Sequence, residues 1–141
     1  MQKILITGVA GFIGFHLAKR LLQEQNLIVI GIDNLNNYYS VKLKKERLKI
    51  LNRLNKKFTF KKIDLFNQKK INNLFSKNKF SKVIHLAAQA GVRYVKKNPS
   101  TYFQNNLKGF FNIIEACRIN KVKHLISAST SSVYGLNKTM P

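Results

Sequence analysis

Three glycines near the amino terminus, spaced three residues apart, have the type and spacing that bind a phosphate group. They are Gly8, Gly11 and Gly14, and they directly follow an apolar stretch. The first permits a tight turn, and the second lets a pyrophosphate approach a backbone that has no Cβ there. The third lets the following helix pack close to the strand. The N–H groups and positive dipole end of that helix would then bind the diphosphate.

A carboxylate on the next predicted strand supplies a partner for the sugar beside such a diphosphate. Asp33 follows the apolar stretch 27–32. An acid about twenty residues past the glycines can accept hydrogen bonds from adenosine ribose hydroxyls. Because a carboxylate repels a 2′-phosphate, Asp33 favours NAD over NADP. The competing interpretation is a strand–helix–strand unit in which Asp33 is an incidental capping residue.

Two later predicted strands also end in residues suited to a dinucleotide. Asp64 follows a strand predicted at 58–63 and could reach an adenine edge, or alternatively cap the next helix. Ala87 and Ala88 end a strand predicted at 82–88. Their small side chains would leave space for a ribose and a nicotinamide close to the backbone.

Two further sets of polar residues belong to the second half of the predicted sheet, and their roles depend on where that half lies. Asn106 is in a helix predicted at 99–120, where it either bonds backbone near the site or lies in solvent. Ser129–Ser132 follows a strand predicted at 123–128. Its hydroxyls could donate to a substrate oxygen whose charge changes during hydride transfer, or could simply belong to a loop.

The elements that must position these residues alternate between strand and helix along the chain. Apolar periodicity predicts strands that end at Thr7, Ile32, Ile63, Ala88 and Ala128. The helices between them carry the stripes Ile13–Leu17–Leu21, Leu43–Leu48–Leu51–Leu54, Ile71–Leu74–Phe75 and Tyr102–Phe103–Phe110–Phe111–Ile114. The fold class predicted is α/β, a Rossmann-type doubly wound parallel sheet with helices on both faces. We expect one domain over residues 1–141, with the sheet truncated after its fifth strand.

Composition gives weaker information about partners. The net charge of +21, from 26 Lys and Arg against 5 Asp and Glu, would attract nucleic acid or anionic membranes non-specifically. The lysines are spread from Lys3 to Lys138 rather than clustered, so we expect no specific nucleic acid and keep a basic nucleic-acid-binding module as an alternative.

The lone cysteine and the hydropathy pattern restrict the environment. Cys117 allows no disulfide framework and no cysteine metal motif, and we expect it in the core rather than as a reactive thiol. No stretch of apolar residues is long enough to cross a bilayer, so we expect a cytoplasmic chain with no membrane partner and no metal.

Several motifs together resemble the extended short-chain dehydrogenase/reductase family, the NAD-dependent epimerases and dehydratases of nucleotide sugars. They are Thr7-Gly-x-x-Gly-x-x-Gly14, Asp33-Asn34, Asp64-Leu65, His85-Leu-Ala-Ala88, Asn106-x-x-Gly109 and Ser132-Val-Tyr-Gly135. Two longer stretches are most similar to UDP-glucuronate 4-epimerases: Gln89-Ala-Gly-Val-Arg-Tyr94 and Ala128-Ser-Thr-Ser-Ser-Val-Tyr-Gly-Leu-Asn137.

The resemblance implies that NAD stays bound, takes a hydride from C4 of a UDP-sugar, and returns it to the other face of the 4-keto intermediate. Thr130 would hydrogen-bond the C4 oxygen, and Arg93 would meet the sugar carboxylate or a phosphate unless it is simply an exposed loop arginine. The implied cofactor contacts are Gly8, Gly11, Phe12, Ile13, Gly14, Asp33, Asn34, Asp64, Leu65, Leu86, Ala87, Ala88 and Asn106.

The resemblance also implies a general-base Tyr and a Lys in a Y-x-x-x-K turn beyond the last residue of this sequence. Two internal matches, Tyr38…Lys42 and Tyr134…Lys138, are rejected because of their positions along the fold. We therefore expect an N-terminal fragment without its base, sixth strand and substrate lobe, inactive alone and homodimeric in full-length form. The alternative is a non-catalytic NAD-binding fragment of a split gene.

Overall fold

A computed structural model of the chain describes residues 1–91, 98–137 and 139. Its centre is a five-stranded sheet with parallel pairing throughout and strand order β3-β2-β1-β4-β5. The strands are β1 (Gln2–Thr7), β2 (Leu27–Asp33), β3 (Phe58–Lys62), β4 (Phe80–His85) and β5 (His124–Ser127). The helices are α1 (Phe12–Leu21), α2 (Val41–Leu54), α3 (Gln68–Ser76), α4 (Pro99–Tyr102) and α5 (Gly109–Ile119), with a π-helical segment (Phe103–Lys108) and a 3₁₀ turn (Ser131–Tyr134).

The strand order reverses at β1, as the predicted doubly wound sheet requires. β1 pairs with β2 on one side and with β4 on the other, so the two halves of the sheet diverge from it. In such a sheet the crevice beyond the carboxyl ends of β1 and β4 is where ligands bind. The predicted fold class is confirmed.

Alternate residues of the central strand feed two apolar cores, one on each face of the sheet. Ile4 and Ile6 pack under α1 and α2, whereas Leu5 packs under α3 and α5. All three are at most 3% exposed. Because burying such a side chain contributes about 1.5–3 kcal/mol, the two cores hold helices against both faces of the sheet.

The inward face of α1 differs from the predicted stripe. Ile13 is 64% exposed, and the buried residues are Gly14, Phe15 and Ala18. The prediction was wrong because Gly14 must face the preceding turn, which rotates Ile13 outward. Leu17 and Leu21 are partly buried at the margin of the core.

The long helical region begins at Pro99 as predicted, but its inward face was also mispredicted. Phe103 and Phe111 are 60% and 58% exposed. The buried face of α5 instead comprises Gly109, Asn112, Ile113, Ala116 and Cys117. The π-helical segment widens one turn, so an α-helical count through it assigns the wrong face. Burial raises the pKa of the Cys117 thiol to about 11, and its place in the core is as predicted.

In the described ranges, no helix has the length and apolar character needed to cross a bilayer.

Candidate functional site

The three glycines form a turn that leaves no space for a Cβ at two of its positions. Gly8 has φ +70°, and a Cβ there would lie 2.9 Å from the backbone of Ala87. A Cβ on Gly14 would lie 2.3 Å from the Gly8 carbonyl oxygen. The Gly11 amide donates to that same oxygen at 3.0 Å, which closes the turn. The predicted turn and the predicted close packing of α1 are therefore both present.

The N-terminus of α1 opens at this turn without a side-chain cap. Gly11 is the N-cap residue, and the first turn contains no acidic side chain. The first amides of an α-helix have no partner within the helix, so the amides of Phe12, Ile13 and Gly14 point out of it. The first helical bond is from the Phe15 amide to the Gly11 carbonyl. Phe12 and Ile13 are both exposed at this opening. The arrangement suits a bound anion because the dipole and the N–H groups favour negative charge there.

Asp33 lies beside this turn at the end of β2. One carboxylate oxygen accepts a bond from the Ala10 amide at 3.2 Å, and the other accepts from the Leu35 amide at 2.8 Å. Asp33 shares a pocket with Gly8 and Gly11. Asp33 thus accepts bonds from backbone amides, as expected for a capping residue. It also lies in the crevice, as expected for a residue that binds a ribose, so the two interpretations are not exclusive.

Asp64 carries a buried acceptor with no donor. Its Oδ2 accepts from Asn34 Nδ2 at 3.3 Å, whereas its Oδ1 has no hydrogen-bond partner in the described part of the chain. The residue that caps α3 is Asn67, whose side chain accepts from the Lys70 amide at 3.0 Å. The alternative in which Asp64 caps this helix is therefore wrong. A buried unpartnered carboxylate oxygen is costly, and it fits a ligand that brings an N–H donor, as an adenine amino group would.

The pocket brings together most of the predicted cofactor residues. Those that line it are Gly8, Gly11, Asp33, Asn34, Asp64, Leu65, Leu86, Ala87 and Ala88. Tyr38 also lines it, at the Asp33 end. The mixture of an apolar lining with a few converging polar groups is typical of a small-molecule site.

Asn106 bonds the backbone at the far end of the pocket. Its Oδ1 accepts from the Gln89 amide at 2.7 Å, and its Nδ2 donates to the Gln89 carbonyl at 3.0 Å. The interpretation that placed Asn106 in solvent is wrong. Asn106 lies in the π-helical segment, and neighbouring Asn105 lines the pocket itself.

A buried Thr–His pair supports the backbone just beyond the end of β4, where Ala87 lies. The Thr7 hydroxyl oxygen accepts from the amides of Leu86 at 3.1 Å and Ala87 at 3.0 Å, and it lies 2.9 Å from His85 Nδ1. With both lone pairs occupied, the hydroxyl proton must go to Nδ1, so His85 is neutral with its proton on Nε2. Burial lowers the pKa of His85 to about 4, and its ring stacks on Phe110.

Lys44 is a buried residue of the pocket wall that was not predicted from the sequence. It is 4% exposed, and its Nζ donates to the carbonyl and side-chain oxygens of Asn36 at 2.8 and 2.7 Å. Burial lowers its pKa, and the negative charge of Asp33 opposes that fall. The signal was available, since position 44 precedes buried Leu48 and Leu51 by four and seven residues, which is one helix face. The predicted inward residues Leu43 and Leu54 are 45% and 51% exposed.

Thr130 lies apart from this pocket but at the same edge of the sheet. It follows β5, which pairs with β4, and it is exposed. Its hydroxyl oxygen accepts from the Ser132 amide at 3.3 Å and caps the 3₁₀ turn. Arg93 and Lys138 lie outside the described residues.

Comparisons with known proteins agree with this geometry. Residues 5–141 match the sequence profile of the family described as GDP-mannose 4,6 dehydratase. Protein CapI of Staphylococcus aureus is 51% identical over 140 residues, which are 99% of this chain and 41% of CapI. A probable UDP-glucuronate 4-epimerase of Rhizobium meliloti is 45% identical over 142 residues, covering 99% and 40%.

The fold of this chain is also similar to that of a solved structure. The UDP-glucuronic acid 4-epimerase of Bacillus cereus, crystallised with UDP-glucuronic acid and NAD, superposes with a TM-score of 0.86 at 37% identity. The match covers 98% of this chain and 43% of that one. This chain thus spans less than half the length of the relatives that it matches.

Proposed function

The chain belongs to the GDP-mannose 4,6 dehydratase family of NAD-dependent epimerases and dehydratases, and from this we propose that it binds NAD in the pocket described above. The observation that carries the proposal is the unpartnered Oδ1 of Asp64, in a pocket that also contains the Gly8–Gly11 turn and Asp33. A pocket built around an orphaned acceptor is stabilised by a ligand with a matching donor. Relatives crystallised with NAD support that choice of ligand.

Each part of the dinucleotide has a matching group in the proposed complex. Asp64 Oδ1 accepts from the adenine amino group, and Asp33 accepts from the adenosine ribose hydroxyls. The Gly8–Gly11 turn and the amides at the start of α1, including those of Phe12 and Ile13, hold the diphosphate. Ala87 and Ala88 leave room for the nicotinamide ribose, while Asn106 holds the Gln89 backbone beyond them.

The parent activity that we propose is 4-epimerisation of a UDP-sugar, with UDP-glucuronate as the substrate favoured by the similarity to 4-epimerases of that sugar. When bound, NAD supplies the acceptor for a hydride from the sugar carbon. Thr130 would donate a hydrogen bond to the oxygen on that carbon and keep its own proton. Arg93 is proposed to meet the anionic part of the substrate.

Of the two internal Tyr-x-x-x-Lys matches, only Tyr38…Lys42 lies wholly in the part of the chain that the structure describes, and it is poorly placed to serve as the general base. Tyr38 lines the pocket together with Asp33 at the end of β2, and both β1 and β4 lie between β2 and the strand β5 that precedes Thr130. We therefore propose that this 141-residue chain binds the cofactor but does not turn a UDP-sugar over by itself.

Replacing Asp33 by alanine is expected to weaken NAD binding about 30-fold, because bonds between the ribose hydroxyls and an ionised carboxylate are lost. Isothermal titration calorimetry would measure the affinity, and urea unfolding would measure stability in the same variant. Asp33→Asn serves as the control, since it keeps one acceptor for the Leu35 amide. If Asp33→Ala lost stability and affinity in equal proportion, Asp33 would be structural and its proposed ribose contact wrong.

The adenine contact predicts a preference between bases. ADP is expected to bind about tenfold more tightly than IDP, because an oxygen replaces the amino group that would donate to Asp64. In Asp64→Asn the preference for ADP over IDP should be smaller, since the side-chain amide of asparagine can donate to the oxygen of the IDP base. Equal affinities of the unchanged chain for ADP and IDP would exclude this contact.

A further inference from the structure

We propose that Lys44 determines specificity in the adenosine ribose pocket: its buried ammonium ion balances the Asp33 carboxylate and makes a 2′-phosphate tolerable there. The inference rests on the proposed function, because it concerns the same pocket. It goes beyond that function by assigning the choice between NAD and NADP to a pair of opposite charges rather than to Asp33 alone.

Lys44 and Asp33 hold the two ends of one short turn. Asp33 accepts from the Leu35 amide at 2.8 Å, while Lys44 donates to both oxygens of Asn36. Between them, Leu35 has φ +56°, a left-handed conformation that a branched side chain rarely adopts. The Asn34 side chain accepts from the Asn36 amide at 3.0 Å and completes the turn. The turn therefore fixes the carboxylate and the ammonium ion relative to each other.

Both charged groups line the same pocket. Lys44 and Asp33 contribute to its wall together with Asn36 and Tyr39. The Lys44 ammonium lies 4.3 Å from the centre of the Tyr39 ring, so an aromatic face and two oxygens replace the water that it has lost. Its bonds to Asn36 use two of its three protons, and the third is the one that a ligand oxygen in the pocket would accept in the proposed complex.

A pocket with one negative and one positive charge discriminates less against a phosphate than a pocket with a carboxylate alone. Asp33 repels a 2′-phosphate, and Lys44 attracts it from the other end of the turn. Arg47 adds positive charge at the same side, where it donates to the Ala10 carbonyl at 3.1 Å. The expectation that Asp33 favours NAD is retained, but the preference becomes modest because Lys44 offsets it.

The test uses ADP and adenosine 2′,5′-bisphosphate, which differ at the 2′-position and in the phosphates on the 5′-side, with NAD and NADP as the matched pair. The ratio of the two affinities is measured by calorimetry for the 141-residue chain and for Lys44→Met. Lys45→Met is the matched control, since Lys45 is an exposed neighbour on the same helix and its loss changes the net charge equally. Asp33→Asn is the reciprocal variant.

In Lys44→Met the affinity for NADP is expected to fall about tenfold more than the affinity for NAD, with the same shift for the bisphosphate relative to ADP. Lys45→Met should leave both ratios unchanged, and Asp33→Asn should move them in the opposite direction. A merely structural role of Lys44 would lower all four affinities together and would overturn the inference. If the unchanged chain bound neither NAD nor ADP, the proposed function itself would be wrong, and this inference with it.

Discussion

Replacing Gly14 by alanine is expected to lower the free energy of unfolding by about 3 kcal/mol, the upper part of the range for a methyl group forced into a packed site. The added Cβ would lie 2.3 Å from the Gly8 carbonyl oxygen and 2.9 Å from the Val9 Cα. These are backbone atoms of a closed turn, so they cannot rotate away as a side chain would. The turn or α1 must therefore shift.

The sign of the change in unfolding free energy distinguishes a steric clash from the effect of helix propensity. Helix propensity alone predicts that alanine at a helical glycine stabilises, by up to about 1 kcal/mol. Urea denaturation followed by circular dichroism would measure the difference. Gly11→Ala is the matched control, because its Cβ would lie 3.0 Å from the same Gly8 oxygen and should cost much less. A Gly14→Ala variant as stable as the unchanged chain would mean that α1 does not approach the turn so closely.

Acidification through the titration range of His85 is expected to remove about 3 kcal/mol of stability. The pKa of His85 is lowered by burial from 6.5 to about 4, so the unfolded chain binds its proton more readily than the folded one. The stabilisation is therefore complete above pH 6.5 and is lost as the pH falls from 6.5 towards 4. Such a loss is a large share of the stability of a small domain.

The variant His85→Gln isolates this contribution. Glutamine can still accept the Thr7 hydroxyl proton, but it does not titrate. Urea unfolding at a series of pH values should show a shallower dependence for His85→Gln than for the unchanged chain over this interval. Identical slopes in the two proteins would show that His85 does not carry the effect, and that another group in the fold does.

The topology and the glycine turn could be predicted from sequence because both follow from local rules. Apolar stretches that end in Gly8 or Asp33 locate the strand ends, and parallel strands bring those ends to one edge. The N-cap of α2 follows from an equally local rule, since the Ser40 hydroxyl accepts from the Leu43 amide at 3.3 Å. Such features depend on neighbours in the chain.

Features that depend on distant contacts were not predictable in this way. The exposed face of the long helical region depends on a π-helical turn that no local pattern announces, so Phe103 and Phe111 were assigned to the core. The burial of Lys44 requires oxygens of Asn36, which lies in the loop before α2, and its position relative to the helix cannot be deduced from the helical pattern. Its spacing from Leu48 indicated the face, but a lysine is usually taken to mark the solvent side.

The bonds between Asn106 and Gln89 couple the long helical region to the sheet. The side-chain amide of Asn106 presents to Gln89 one acceptor and one donor, as the peptide group of an adjoining strand would. Pairing of the kind found in a sheet thus extends past the last residue of β4, with a helix as the neighbour. These two bonds attach the π-helical segment to the backbone at the Gln89 end of the pocket, so a substitution of Asn106 would remove a partner from both the Gln89 amide and the Gln89 carbonyl.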